Sequence, residues 1–229
     1  MNQIIQAEAR SASSPTFFAR TMGYFALALA AAAGGTMTGM FWLPGNLLAS
    51  RAFMFGMFAL TLILVLTSRK WSLGRFGYLF LILFAGILGI TLVPLLALAA
   101  LTAGSAVLVK ALFAAVSMFA GMAIFGATTH KDLTGIGGFL MASLIGMIVV
   151  TLLTFILQFF GISVWGNGIE LIFSGFGILI FAGFTAYDFQ KIRNRDMSIS
   201  PIQAAISLFL DFILLFEYIL RFMTAMSRE

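Results

Sequence analysis

The chain has 229 residues, 62% of them hydrophobic and 9% charged, with no cysteine and one histidine. A soluble domain carries roughly 25% charged residues, so this composition has no polar shell to offer water, and lipid must be its main solvent. The missing cysteines and lone histidine exclude disulfides, thiol nucleophiles and most zinc or copper sites. The net charge of +5 reads as Lys and Arg gathered on one side of a membrane rather than as a nucleic-acid surface.

Residues 1–21 read as a polar cytoplasmic tail that includes Ser11, Ser13, Ser14 and Pro15. The stretch "TMGYFALALAAAAGG" has the look of a signal-peptide core. Its leader is too long, however, and the apolar run continues to Trp42, so it is taken as a first span over 22–42. Further spans follow at 52–68, 76–97, 106–128, 137–160, 168–190 and 202–222, with a short tail at 223–229. The third and fourth are the hardest to divide. No charge occurs between Phe76 and Val109, and Pro94 and the "TAGS" at 102–105 are the only punctuation. Domain 22–222 is therefore an all-α integral membrane bundle of seven helices.

Orientation follows from Lys and Arg. With the N-terminus in the cytoplasm, the inner side holds Arg10, Arg20, Arg69, Lys70, Arg75, Lys131, Lys191, Arg193 and Arg195. The outer side holds Arg51, Lys110, Arg221 and Arg228. Nine against four places the C-terminus outside. Trp42, Trp71 and Trp165 fall at span ends, where interfacial anchors belong. Gly35 and Gly39 form a small-xxx-small pair, and Gly175, Gly177 and Gly183 line the sixth span. Small residues in these positions serve close helix approach.

Most of the eight acidic residues are ordinary. Glu8 lies in the tail, Asp132 and Asp196 in inner loops, Glu170 at an outer span end, and Glu229 at the terminus. Glu217 has Arg221 one helical turn on, so an outer ion pair is available. Asp188 and Asp211 differ. Asp188 sits in "FTAYDFQKI" near the inner end of the sixth span, and Asp211 midway along the seventh, in "ISLFLDFILLF". At ~1.5 Å per residue they lie roughly 8 Å and 15 Å from the inner surface. The two helices are antiparallel neighbours, so a modest tilt brings the carboxyls level.

An ionisable residue inside a membrane is a functional hypothesis by default. Two such carboxyls cannot both stay charged cheaply, so they share a proton and respond to pH. Deprotonated, the pair attracts a cation. Calcium takes 6–8 oxygen ligands and two carboxylates supply at most four, so the expected site is weak and transient, on a pathway. The helical stripe of Asp211 includes Ala204, Ser207, Leu214 and Tyr218, which makes Ser207 and Tyr218 candidate supporting groups. The purely structural alternative has Asp188 snorkelling to the inner surface and Asp211 capped by Ser207.

The pair of stretches around Asp188 and Asp211 resembles the C-terminal signature of the Bax inhibitor-1-like (transmembrane Bax inhibitor motif) family. "GITLVPL" (89–95) and "TTHKDLTGIGGFLMASLIG" (128–146) are similar to other parts of the same family. The resemblance covers almost the whole chain. It implies six helices around a central seventh, in a bacterial member. It also implies a pH-sensitive calcium leak gated by a di-aspartyl pair matching Asp188 and Asp211. Arg69 or Lys70, at the inner end of the second span, is the implied counter-charge for Asp188. Eukaryotic relatives suppress cell death, and some bacterial ones associate with a membrane protease. Two departures stand out. The second span, "RAFMFGMFALTLILVLTS", lacks the glutamate that some bacterial relatives carry, and Leu214 stands where relatives often have Asn.

Enzyme readings fit poorly. "AYD" (186–188) matches half of an intramembrane aspartyl protease, but Phe209-Leu210-Asp211 replaces the Gly-x-Gly-Asp turn. Retinal binding needs a lysine deep in the last span, and Lys110 is near an outer end. A serine hydrolase needs a base, and His130 is in an inner loop. The expected protein is thus not an enzyme and holds no cofactor. It is a cation leak in a bacterial inner membrane, with lipid, calcium and protons as partners. The rival reading is a non-transporting scaffold that binds other membrane proteins.

Overall fold

A computed structural model describes residues 15–48, 50–71, 76–162, 166–194 and 199–228. Among these, all regular structure is helical. The long helices are α1 (Pro15–Trp42), α2 (Arg51–Trp71), α3 (Gly77–Ala103), α4 (Ala106–Thr128), α5 (Thr134–Phe159), α6 (Asn167–Arg193) and α7 (Pro201–Met226), with a single turn at Gly45–Leu48. Every helix except α2 is long and apolar enough to cross a membrane; the apolar part of α2 is the shorter Ala52–Ser68. Large side chains such as Leu101 (85% exposed) and Ile172 (76%) point outward. Only a lipid solvent makes an outer surface of this kind stable, and the protein is a multi-pass membrane protein.

The ends depart most from the expected spans in three places. α1 begins at Pro15, not residue 22, because proline suits the first position of a helix and the helical face continues inward to the fully buried Thr21. α7 likewise runs past 222 to Met226. α3 passes straight through Pro94 and stops at Gly104, whose φ of 80° is the left-handed conformation that ends it. α7 starts at a capping box. Ser200 Oγ accepts from Gln203 N at 3.3 Å and Gln203 Oε1 accepts from Ser200 N at 3.0 Å, with Pro201 as the first helical residue.

Packing depends on small residues. α1 and α3 meet backbone to backbone, where a Cβ on Gly35 would run into the Gly86 carbonyl and one on Gly89 into that of Ala32. Thr36 Oγ1 crosses the same seam to donate to Gly89 O at 2.9 Å. The last helix is the hub. α7 packs on α1, α3, α4 and α6, and 61% of its most apolar window is buried, against 17% for α5. The expectation of six helices around a seventh needs correction here: α2 makes its main contacts with α3, and α5 with α6.

Trp42 is exposed at the end of α1. Glu8, Arg10, Ser11, Ser13, Ser14, Arg75, Trp165, Arg195, Asp196 and Glu229 lie outside the described residues, as do the side chains of Arg51, Arg69 and Trp71.

Candidate functional site: an acid pair between the last two helices

α6 and α7 run antiparallel in close contact. Gly177 lies under the Tyr218 ring and Gly175 under Phe222, and this register sets Asp188 beside the first half of α7. Asp188 is half-buried. Ser207 of α7 and Lys191 of its own helix stand beside it around one cleft. Lys191 Nζ also stands 5.4 Å above the Tyr187 ring. A cleft of about 40 Å³ opens beside Asp188 and is lined by Lys191, Gln203, Ala204 and Ser207 among others. It has room for a water or two.

Asp211 is one turn further along α7 from Ser207 and does not line that cleft. It is 6% exposed, and its Oδ2 is sealed from solvent without a hydrogen-bond partner. Asp188 shares its cleft with Ser207, one turn along α7 from Asp211. The two acids therefore straddle a boundary, one on a water-accessible cleft and one beyond it. Two carboxyls in this arrangement carry one negative charge between them more cheaply than two.

The other expected residues fall as follows. Ser207 lines the cleft beside Asp188, and Asp211 Oδ2 has no hydrogen-bond partner. Tyr218 stacks on Phe181 with ring centres 5.5 Å apart, two turns outward of Asp211. Arg221 Nη2 lies 2.7 Å from Glu217 Oε1, and Arg228 reaches Glu170 at 3.4 Å. Lys70 is exposed, and the Arg69 side chain is outside the described residues. Leu214 is half-buried against the core. Among the described residues no cluster of three or more acidic, His or Cys side chains gathers to hold a metal.

One residue of this region escaped the sequence reading. Gln190 is 3% exposed. Its Oε1 accepts from Leu133 N at 2.7 Å and its Nε2 donates to Lys131 O at 2.7 Å. Arg193 Nη1 donates to Thr129 O at 2.6 Å and Ala127 O at 3.1 Å. Ala186, Gln190 and Arg193 are spaced i, i+4, i+7, so one face of α6 follows α4 and its loop. Ala186 on that face meets Gly126 of α4 backbone to backbone. Asp188 is two residues from both Ala186 and Gln190 and so points the other way, to α7. The i, i+4, i+7 spacing was readable in the sequence; the loop as its target was not.

Residues 14–228 match the family described as inhibitor of apoptosis-promoting Bax1. The chain belongs to this Bax inhibitor-1-like family. It is 32% identical over 190 residues to the inner membrane protein YbhL of Escherichia coli K12, with 76% of each chain covered. It is 31% identical over 222 residues to the protein Cj0236c of Campylobacter jejuni, covering 95% of this chain and 92% of that one. A Caulobacter vibrioides protein is 35% identical over 123 residues, and there the match spans less than half of the relative's length (45%). As a Bax inhibitor-1-like protein, the chain carries both acid-bearing stretches, Asp188 and Asp211, within the matched region.

Proposed function

We propose that the protein is a pH-sensitive calcium (cation) leak of a bacterial inner membrane, gated by Asp188 and Asp211. It crosses the membrane seven times with its N-terminus inside, and is not an enzyme. The observation that carries this reading is the buried, unpartnered Oδ2 of Asp211, one turn along α7 from the cleft that Asp188 lines. A carboxyl kept in that condition is costly unless it has work to do. In acid, the shared proton holds α6 against α7 and the path is closed. As pH rises the proton leaves, the two charges repel, and a cation takes its place. Lys191, three residues from Asp188 on the same helix and lining the same cleft, is a counter-charge available on α6 itself. The naming of YbhL as an inner membrane protein supports the location.

Calcium flux into dye-loaded vesicles tests this across a pH series. Wild type should carry more calcium as pH rises, and Asp188→Asn and Asp211→Asn should lose that dependence. A wild-type protein that moves no calcium at any pH, yet captures a membrane partner such as a protease, would favour the scaffold instead.

A further inference from the structure

Each aspartate of the pair is followed in the chain by a phenylalanine, and both of these rings bear on a third. Phe119 of α4 has its ring centre 5.4 Å from that of Phe212 and 5.8 Å from that of Phe189, meeting both edge to face. Phe25 of α1 stacks on Phe119 at 5.5 Å and meets Phe212 at 6.2 Å. Four helices thus contribute one phenyl each to a single knot, and Phe119 touches the other three. Phe119, Phe189 and Phe212 are buried and Phe25 is half-buried.

The position of the knot matters more than its stability. The water-accessible cleft ends near Asp188, Asp211 lies beyond it, and Phe212 follows. The five residues after Asp211 (Phe212, Ile213, Leu214, Leu215 and Phe216) are all apolar. A cation leaving Asp211 for the outer half meets phenyl faces and no side-chain oxygen from this helix face until Tyr218, two turns on. A constriction lined in this way blocks ions by refusing water. Neighbouring residues on a helix are 100° apart, so any rotation of α6 or α7 that re-aims an aspartate swings its phenyl by the same angle.

We infer that Phe119, with Phe25, Phe189 and Phe212 around it, is the plug of the permeation path. The inference rests on the leak reading above and adds the part that closes it. The aspartates set when the knot loosens, and the rings keep the path dry until then.

Vesicle flux with Phe119→Ala, Phe25→Ala and the distant control Phe155→Ala decides it, using calcium as the probe and an acidic pH that closes the wild type. Only fractions that elute as single species and keep a helical circular dichroism spectrum are reconstituted. Removal of a phenyl from the knot should raise calcium entry about tenfold or more over wild type. Phe155, which stacks on Phe58 in the α2–α5 contact, should leave it unchanged. Should Phe119→Ala fail to fold, the half-buried Phe25 decides alone. Folded knot variants as tight as wild type overturn the plug, and so does equal leakage through Phe155→Ala, which would mark general loosening. A wild type silent at every pH sinks the leak reading separately. Knot variants that leak in that case still support a plugged path, and silent ones remove both ideas.

Discussion

Gln190 Oε1 accepts a hydrogen bond from the backbone nitrogen of Leu133 at 2.7 Å, across 57 positions of chain. The same amide donates to Lys131 O, so one buried side chain closes both sides of the α4–α5 loop. Leu133 is itself buried, and water cannot replace the lost partner. Gln190→Ala should therefore destabilise the protein by about 1–3 kcal/mol, read as a lower melting temperature in detergent. An unchanged melt would mean the loop finds other partners at no cost.

The contact of Gly126 with Ala186 makes a sharper test, because a neighbour on the same helix serves as the control. A Cβ on Gly126 would strike the Ala186 carbonyl, whereas one on Gly121 meets nothing. Gly126→Ala should push α4 from α6 and cost about 1–3 kcal/mol. Gly121→Ala should cost nothing or stabilise slightly, since alanine is the better helix former. Equal melting temperatures for the two variants would contradict the close approach.

Asp132 holds the start of α5. Its Oδ1 accepts from Thr134 N at 2.9 Å and from the Thr134 hydroxyl, and these two bonds keep its carboxyl below the usual carboxylate range. A carboxylate lowered in the folded state adds stability above its unfolded value and loses it as pH falls through the folded one. Asp132→Ala should thus melt below wild type at neutral pH. The gap should narrow in acid, below the ordinary carboxylate range. A gap that stays constant with pH would remove the charge from the explanation.

Asp211 should be better for function than for stability. Its Oδ2 is buried with no hydrogen-bond partner, and asparagine fills the same volume without a charge. Asp211→Asn should raise the thermal stability of the folded protein, by roughly 1–3 kcal/mol. A marked fall in melting temperature would instead give Asp211 a structural partner and strengthen the scaffold reading.

Much of the fold was readable because lipid leaves a chain few options. An apolar run near 20 residues must satisfy its backbone internally, and a helix does that. Helix ends were harder. The third span was expected to end at 97, a few residues past Pro94, yet α3 runs on to Ala103, and Gly104, with no side chain to forbid φ of 80°, ends it. Asp188 and Asp211 were legible because charges are rare in such segments. Ser207 was read as a neighbour of Asp211 because four residues separate them on one helix; its place in the cleft with Asp188 depends on how α6 and α7 cross. Gln190 was hidden because its partners lie on another loop, and Phe119 because it is one of 26 phenylalanines.

The apolar part of α2, Ala52–Ser68, is short. It spans ~25 Å at 1.5 Å per residue, where a hydrocarbon layer is ~30 Å thick. In the seven-span arrangement proposed above, acyl chains beside it compress while those around the longer helices do not, which gives the molecule a dimple in its lipid collar on one flank. Mismatch costs a fraction of a kcal/mol per Å, and a thicker bilayer strains the protein first at that flank.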